Sequence, residues 1–198
     1  MNQVLEFAKK RRTRYGLTDK ILLSEMDLLD IISQSVKYTP SPFNCQGGRI
    51  VVLLGEKSRL FWNIVLEKLR SVVPESHFPA TKEKIESFAS GYGTILFYED
   101  MSTVEELQQK FPAYKDNFLL WAYQSNAMLE FLVWTALAEE GIGASLQHYN
   151  PLVDTEIQTT FGIPSNWKLL AQMPFGIPFS EPEEKTFLPL SERIKVFK

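Results

Sequence analysis

The chain has 198 residues, 44% of them hydrophobic and 23% charged, with a net charge of −3 at pH 7. This is the balance of a globular protein of one domain, spanning 1–198. The negative net charge excludes a general nucleic-acid-binding surface, which needs a basic face, but leaves room for a local anion site. The lone cysteine, Cys45, excludes an intrachain disulfide and fits a reducing compartment. In Met1–Arg12 the basic residues follow the apolar ones, the reverse of a signal peptide, and no apolar run reaches the ~18 residues of a membrane span. A cytoplasmic protein with no membrane partner is expected.

Residues 3–10 read as a short helix running into the basic turn Arg11-Arg12-Thr13-Arg14. Ser24 and Asp27 suggest a capping box at the head of a helix with the apolar stripe Leu28, Leu29, Ile32 and Val36, which must stop before Pro40. The loop Thr39–Gly48 follows, then a strand over 49–54 ended by Gly55. Helical spacing returns at Leu60, Phe61, Ile64, Val65 and Leu69. A polar stretch over 74–82, a short helix near 83–90 and a strand over 93–98 come next. Residues 115–140 read as one long helix, apolar nearly all round, with Gly141 as its C-terminal stop. So short a chain cannot bury such a helix on every side, so a second subunit is expected to cover it. A helix near 152–161, a strand near 167–173 and a proline-interrupted tail over 174–198, expected to be irregular and to wrap a surface, complete the chain. Helices and strands mix without strict alternation, which predicts an α+β fold.

Several chemistries are absent. There is no Walker A sequence and no Gly-x-Ser-x-Gly elbow, and Leu146 stands where a dinucleotide fingerprint starting at Gly141 needs its third glycine. His77 and His148 lack partners at metal-ligand spacing. Three segments carry chemistry. Arg11-Arg12-Thr13 offers guanidinium forks and a hydroxyl that suit a phosphate, although a basic run is more often a solvated turn. Ser41-Pro42-Phe43-Asn44-Cys45-Gln46 is a stiffened loop whose amides suit the edge of a heterocycle, or is an ordinary turn. Gly141–Asn150 starts with small residues that let a ligand approach the backbone, or is a helix cap leading into a strand.

Taken together, these segments resemble the nitroreductase family. Arg11-Arg12-Thr13 is similar to its Arg-Arg-Ser segment, and Pro40–Gln46 to its Pro-Ser-x-x-Asn-x-Gln loop. Gly141-Ile142-Gly143-Ala144 is similar to its Gly-x-Gly-Ala turn, and Leu188–Glu192 to its Pro-Leu-x-Glu ending. The order and spacing of all these segments match. Gln147–Pro151 and the short length resemble the bacterial and fungal branch described with fatty-acid repression mutants.

The resemblance implies a central mixed sheet flanked by helices, in an intertwined homodimer whose long helix lies at the interface and which holds FMN there. Arg11 and Thr13 would hold the phosphate and ribityl end, with Arg12 alongside. Ser41, Asn44 and Gln46 would come from the other subunit. Leu146, Gln147 and His148 would lie at the reactive flavin edge, with the His148 N–H nearest N5. Tyr15 and Phe187 stand where the family usually has basic residues, which leaves Lys185, Arg14 and Arg193 to compensate. The implied activity is ping-pong transfer of two electrons from NADH or NADPH to a nitroaromatic or quinone-like acceptor, with no side chain acting as a catalytic acid. Two alternatives stand beside it, a flavin-binding regulatory protein with little turnover and a flavin-free dimer that binds apolar ligands.

Overall fold

The computed structural model describes residues 2–198. In chain order the elements are α1 (Gln3–Lys10), β1 (Leu17–Thr18), α2 (Glu25–Tyr38), β2 (Gly48–Leu54), α3 (Glu56–Arg70), α4 (Phe78–Ala89), β3 (Gly93–Asp100), α5 (Met101–Lys110), α6 (Phe118–Glu139), β4 (Gly143–Ala144), α7 (Asp154–Phe161) and β5 (Trp167–Pro178). The sheet runs β1-β5-β3-β2, with β4 also on β5, and every pair of these strands is antiparallel. The parallel element of the mixed sheet is the single bridge between Thr13 and Ala144.

Alternation along β3 splits the core in two. Leu96 and Tyr98 face α3, α4 and α7 among Phe61, Trp62, Val65, Phe88 and Ile157. Ile95 and Phe97 face α2 and α6 among Leu28, Ile32, Leu129, Val133 and Leu137. The period of two along a strand places a full apolar set on each face, so β3 is buried throughout. Burying Trp62 strands no polar group, because its indole N–H donates to Thr94 Oγ1 at 2.8 Å and Thr94 also pairs with Ser58 Oγ at 2.7 Å.

The α2 cap forms with a variation on the expected box. Ser24 Oγ accepts from the Asp27 N–H at 3.1 Å and donates to the Asp27 carboxylate at 2.6 Å, so the shorter acid bonds the capping hydroxyl. Four other expectations are corrected. Helix α4 begins at Phe78, because Pro79 sits in its first turn, where a missing N–H costs nothing. Helix α5, polar on most positions, was not legible as a helix. The long helix begins at Phe118, after a 3₁₀ segment over Pro112–Asn117.

Strand β5 continues to Pro178, so the tail begins five residues later than its prolines suggested. The reason is the direction of Pro174. Its carbonyl accepts from the Ser145 N–H at 3.3 Å, on the side away from β3, so its nitrogen also faces the irregular 145–147 segment and no β3 ladder bond is lost.

One face of α6 is spent on the core, with Phe118, Ala122, Leu129, Val133 and Leu137 buried. The opposite face is left in solvent, with Leu120 55% and Phe131 45% exposed. Among the described residues no helix is long and apolar enough to cross a membrane.

Candidate functional site

The basic turn follows α1, which lies along α6. Arg11 leaves the helix at its C-cap and places its guanidinium carbon 4.3 Å from the centre of the Trp134 ring. Its Nε is buried without a partner, and burial, with Arg12 adding to it, lowers the pKa of the group. A desolvated cation with an unused donor favours an incoming anion over water. The Thr13–Ala144 bridge and the Arg14 N–H bond to the Ala144 carbonyl (2.9 Å) tie this turn to β4. Gly143 lets the two segments approach closely, since a Cβ there would sit 3.0 Å from the Arg14 and Pro178 side chains.

Beyond β4 the chain runs along β5 through Gln147, whose N–H donates to the Gln172 carbonyl at 2.7 Å and whose carbonyl accepts the Gln172 N–H at 2.9 Å. Because Gln147 faces the sheet, its neighbours face away. Among the described residues no protein group accepts the His148 N–H, and the His148 side chain is exposed. Gln172 holds the far side of the segment, accepting the Tyr149 N–H at 2.7 Å and donating to Asn150 Oδ1 at 3.1 Å.

A cleft of about 600 Å³ lies between Arg11–Tyr15 and Ser180–Thr186. Lys185 lines it, whereas Arg193 lies on the exposed tail and does not. Ser41 and Gln46 line a different cavity of about 500 Å³, against α2, β2 and α6, and the two spaces share no residue. The Ser41–Gln46 loop is strained, with positive φ at Phe43, Asn44 and Gln46. Left-handed backbone at residues other than Gly and Asn costs of order 1–3 kcal/mol each, and such strain collects at functional sites. Ser41 Oγ holds the turn by accepting the Gln46 N–H at 2.8 Å, and Arg49 donates to the Gln46 carbonyl at 2.5 Å. Phe43, 55% exposed, stacks on Phe111 at 4.5 Å and tilts on Phe118 at 5.8 Å.

Several residues of this region were missed from sequence. Trp134, counted as one more apolar residue of α6, is the platform for Arg11. Asn126 lines the loop cavity, donates to the Tyr98 carbonyl (2.9 Å) and Glu99 Oε2 (3.1 Å), and keeps a buried Oδ1 without a partner. An amide inside so apolar a helix was the available signal. Glu99 lies beneath the loop, 1% exposed, with Oε1 so close to Gly47 that a Cβ there would come within 2.2 Å.

Burial pushes the Glu99 carboxyl up to about 6 against the pull of Asn126 and Arg49, with Asp100 adding to the rise. A carboxyl whose pKa is raised by folding contributes most below its unfolded value and loses that contribution as pH rises through the folded value. Glu99→Gln is therefore expected to gain stability relative to the native chain between pH 5 and pH 8. Melting temperatures across that range check it, and a constant difference would contradict it.

The residues present fit a flavin phosphate, given the unused Arg11 donor and the Thr13 side chain lining the same cleft. Among the described residues no cluster of acids, histidines or cysteines could hold a metal. Comparison with known proteins gives the family. The family described as the Nitroreductase family matches residues 8–177. The chain is 34% identical over 182 residues to nitroreductase FRM2 of Saccharomyces cerevisiae, covering 90% of this chain and 89% of that protein. It is 29% identical over 180 residues to the putative nitroreductase HBN1 of the same yeast, with the same coverage of each. Among solved structures, nitroreductase CinD from Lactococcus lactis in complex with nicotinic acid superimposes with a TM-score of 0.92 at 37% identity, covering 99% of this chain and 100% of that one. The fold, the ordered segments and these likenesses agree that the chain belongs to the nitroreductase family, and so to the flavin-dependent oxidoreductases.

Proposed function

We propose that the protein is an FMN-dependent NAD(P)H oxidoreductase that reduces nitroaromatic or quinone-like acceptors, working as a homodimer. The observation that carries this reading is the joining of the basic turn to the 143–148 segment through Thr13 and Ala144. It joins the candidate phosphate-binding turn to the segment that carries the unpaired His148 N–H. Arg11 and Thr13 hold the phosphate, with Arg12 and Lys185 flanking it. Leu146, Gln147 and His148 would lie along the ring, and the His148 N–H would be the backbone donor that orients it. When bound, FMN would supply two-electron redox chemistry between a nicotinamide and an acceptor.

Ser41, Asn44 and Gln46 complete the site from a second copy. Support comes from the separation of the two cavities within one chain and from the apolar outer face of α6. The tail beyond Pro178 supports it too, since it exposes Leu188, Leu190, Ile194 and Val196 while β2 ends the sheet as an open edge. The exposed Phe43 ring, stacked on Phe111 and carried by the same loop, suits a flat aromatic acceptor.

The test is direct. The purified protein should carry flavin absorbance and oxidise NADH or NADPH when a quinone or nitroarene is supplied. Flavin binding without turnover would favour a regulatory role, and a colourless protein that takes up no FMN would remove the cofactor from the reading.

His148 separates a backbone role from a side-chain role. His148→Ala keeps the N–H and is expected to retain most hydride transfer from the nicotinamide, measured as single-turnover flavin bleaching. Loss of bleaching with FMN still bound would assign the work to the imidazole instead.

A further inference from the structure

The basic turn is not wholly free to meet an anion, because part of it is engaged by the chain's own tail. Arg14 Nη1 donates to the Ser180 carbonyl at 2.6 Å and to Glu181 Oε2 at 3.2 Å, and Arg12 Nη2 donates to the Glu183 carbonyl. The Glu181 side chain is 92% exposed, so its ion pair is weak and the carbonyl bonds are what hold the tail. Just before this segment, the Phe179 N–H donates to the Gly16 carbonyl at 3.2 Å. A Cβ on Gly16 would meet the Phe179 ring at 2.8 Å and Ser180 Oγ at 3.0 Å, so a side chain there would push the exposed Phe179 ring at the strap's start aside. Ser180–Lys185 thus forms one wall of the cleft of about 600 Å³ whose other wall is Arg11–Tyr15. Arg11 alone of these arginines makes no hydrogen bond to the tail among the described residues.

We propose that Arg12 and Arg14 act as latches for an acidic strap, Ser180–Lys185, which closes the phosphate end of the cofactor site and sets how fast a phosphate-bearing ligand leaves. The arginines of the turn divide the work. Arg11 meets the anion, while Arg12 and Arg14 spend their donors on strap carbonyls. Glu181, Glu183 and Glu184 place negative charge along the strap, so a ligand with further phosphates meets repulsion there, whereas Lys185 faces the cleft with the opposite sign. A closed strap slows release far more than it changes the equilibrium contacts of the anion, because the anion can leave only when the strap opens.

This inference rests on the reading that the basic turn takes the FMN phosphate, and the experiment keeps the two apart. FMN release is followed after dilution by the fluorescence of the freed flavin, in the native chain, Arg14→Ala and Gly16→Val. Limited proteolysis over 180–187 reports whether the strap is seated, and thermal melts report folding. Arg14→Ala removes a latch, whereas Gly16→Val crowds the Phe179 and Ser180 side chains at the strap's start with every arginine intact. Both variants are expected to melt near the native temperature, to be cut faster within the strap and to release FMN faster than the native chain, Arg14→Ala at least about tenfold faster, as the loss of a charge-assisted hydrogen bond implies. A strap that is cut faster while release stays at the native rate would overturn the gating role. A strap that stays protected in Arg14→Ala would overturn the latch. A native chain that binds no FMN would sink the cofactor reading itself, together with the strap's role in it.

Discussion

In mixed dimers with Arg11→Ala in one chain and Asn44→Ala in the other, one flavin site should be intact and the other should carry both lesions. Within a single chain the cleft of Arg11 and the cavity beside Ser41 and Gln46 share no lining residue, so the two sets of predicted site residues stand apart. On the proposed shared-site reading, each site would pair Arg11 of one chain with Asn44 of the other, and the mixed dimer would therefore segregate the damage. In the uniform Arg11→Ala dimer the effect is large. The guanidinium is partly desolvated, its Nε has no protein partner, and it is propped on Trp134. Losing a charge-assisted bond to phosphate costs ~1.5–3 kcal/mol, so FMN affinity should fall roughly ten- to a hundredfold. Titration of the mixed dimer with FMN should show half the sites at native affinity. Two equally weakened sites would mean that each is built within one chain.

The second large effect is expected at the outer face of α6. Phe131→Asp should turn the dimer into monomers or unfolded chain, read by light scattering against twice the 22.8 kDa chain mass. Phe131 is 45% exposed in the single chain, among Leu120, Met128 and Leu132, and an isolated helix face of this kind has no reason to be apolar unless it is covered. A carboxylate introduced there and buried without a partner costs several kcal/mol. Its neighbour Glu130 already shows the tendency, since burial pushes its carboxyl up to about 7. A native chain that scatters as a monomer at micromolar concentration would remove the interface, and with it the shared site.

Much of this architecture is written locally. Apolar spacing located α2, α3, β2 and β3, since each buries one periodic set of side chains, and Ser24 marked its helix start because a cap is a contact over three residues. The ordered segments Arg11–Thr13, Ser41–Gln46 and Gly141–His148 were legible because residue types and spacing alone carry them.

What the sequence left undecided depends on contacts between distant residues. That β5 runs through Pro174 depends on which side of the strand its nitrogen faces, and the Ser145 N–H at its carbonyl decides it. Helix α5 has no strong apolar period to announce it. Trp134 became the seat of Arg11 only because α1 lies along α6, and Glu99 became a perturbed acid only because the fold buries it beneath the Gly47 loop. The tail likewise became a wall of the cleft only when Arg12 and Arg14 met its carbonyls across more than 160 positions of sequence. Periodicity and motif order report what a segment needs, whereas burial and charge pairing depend on what the rest of the chain brings to it.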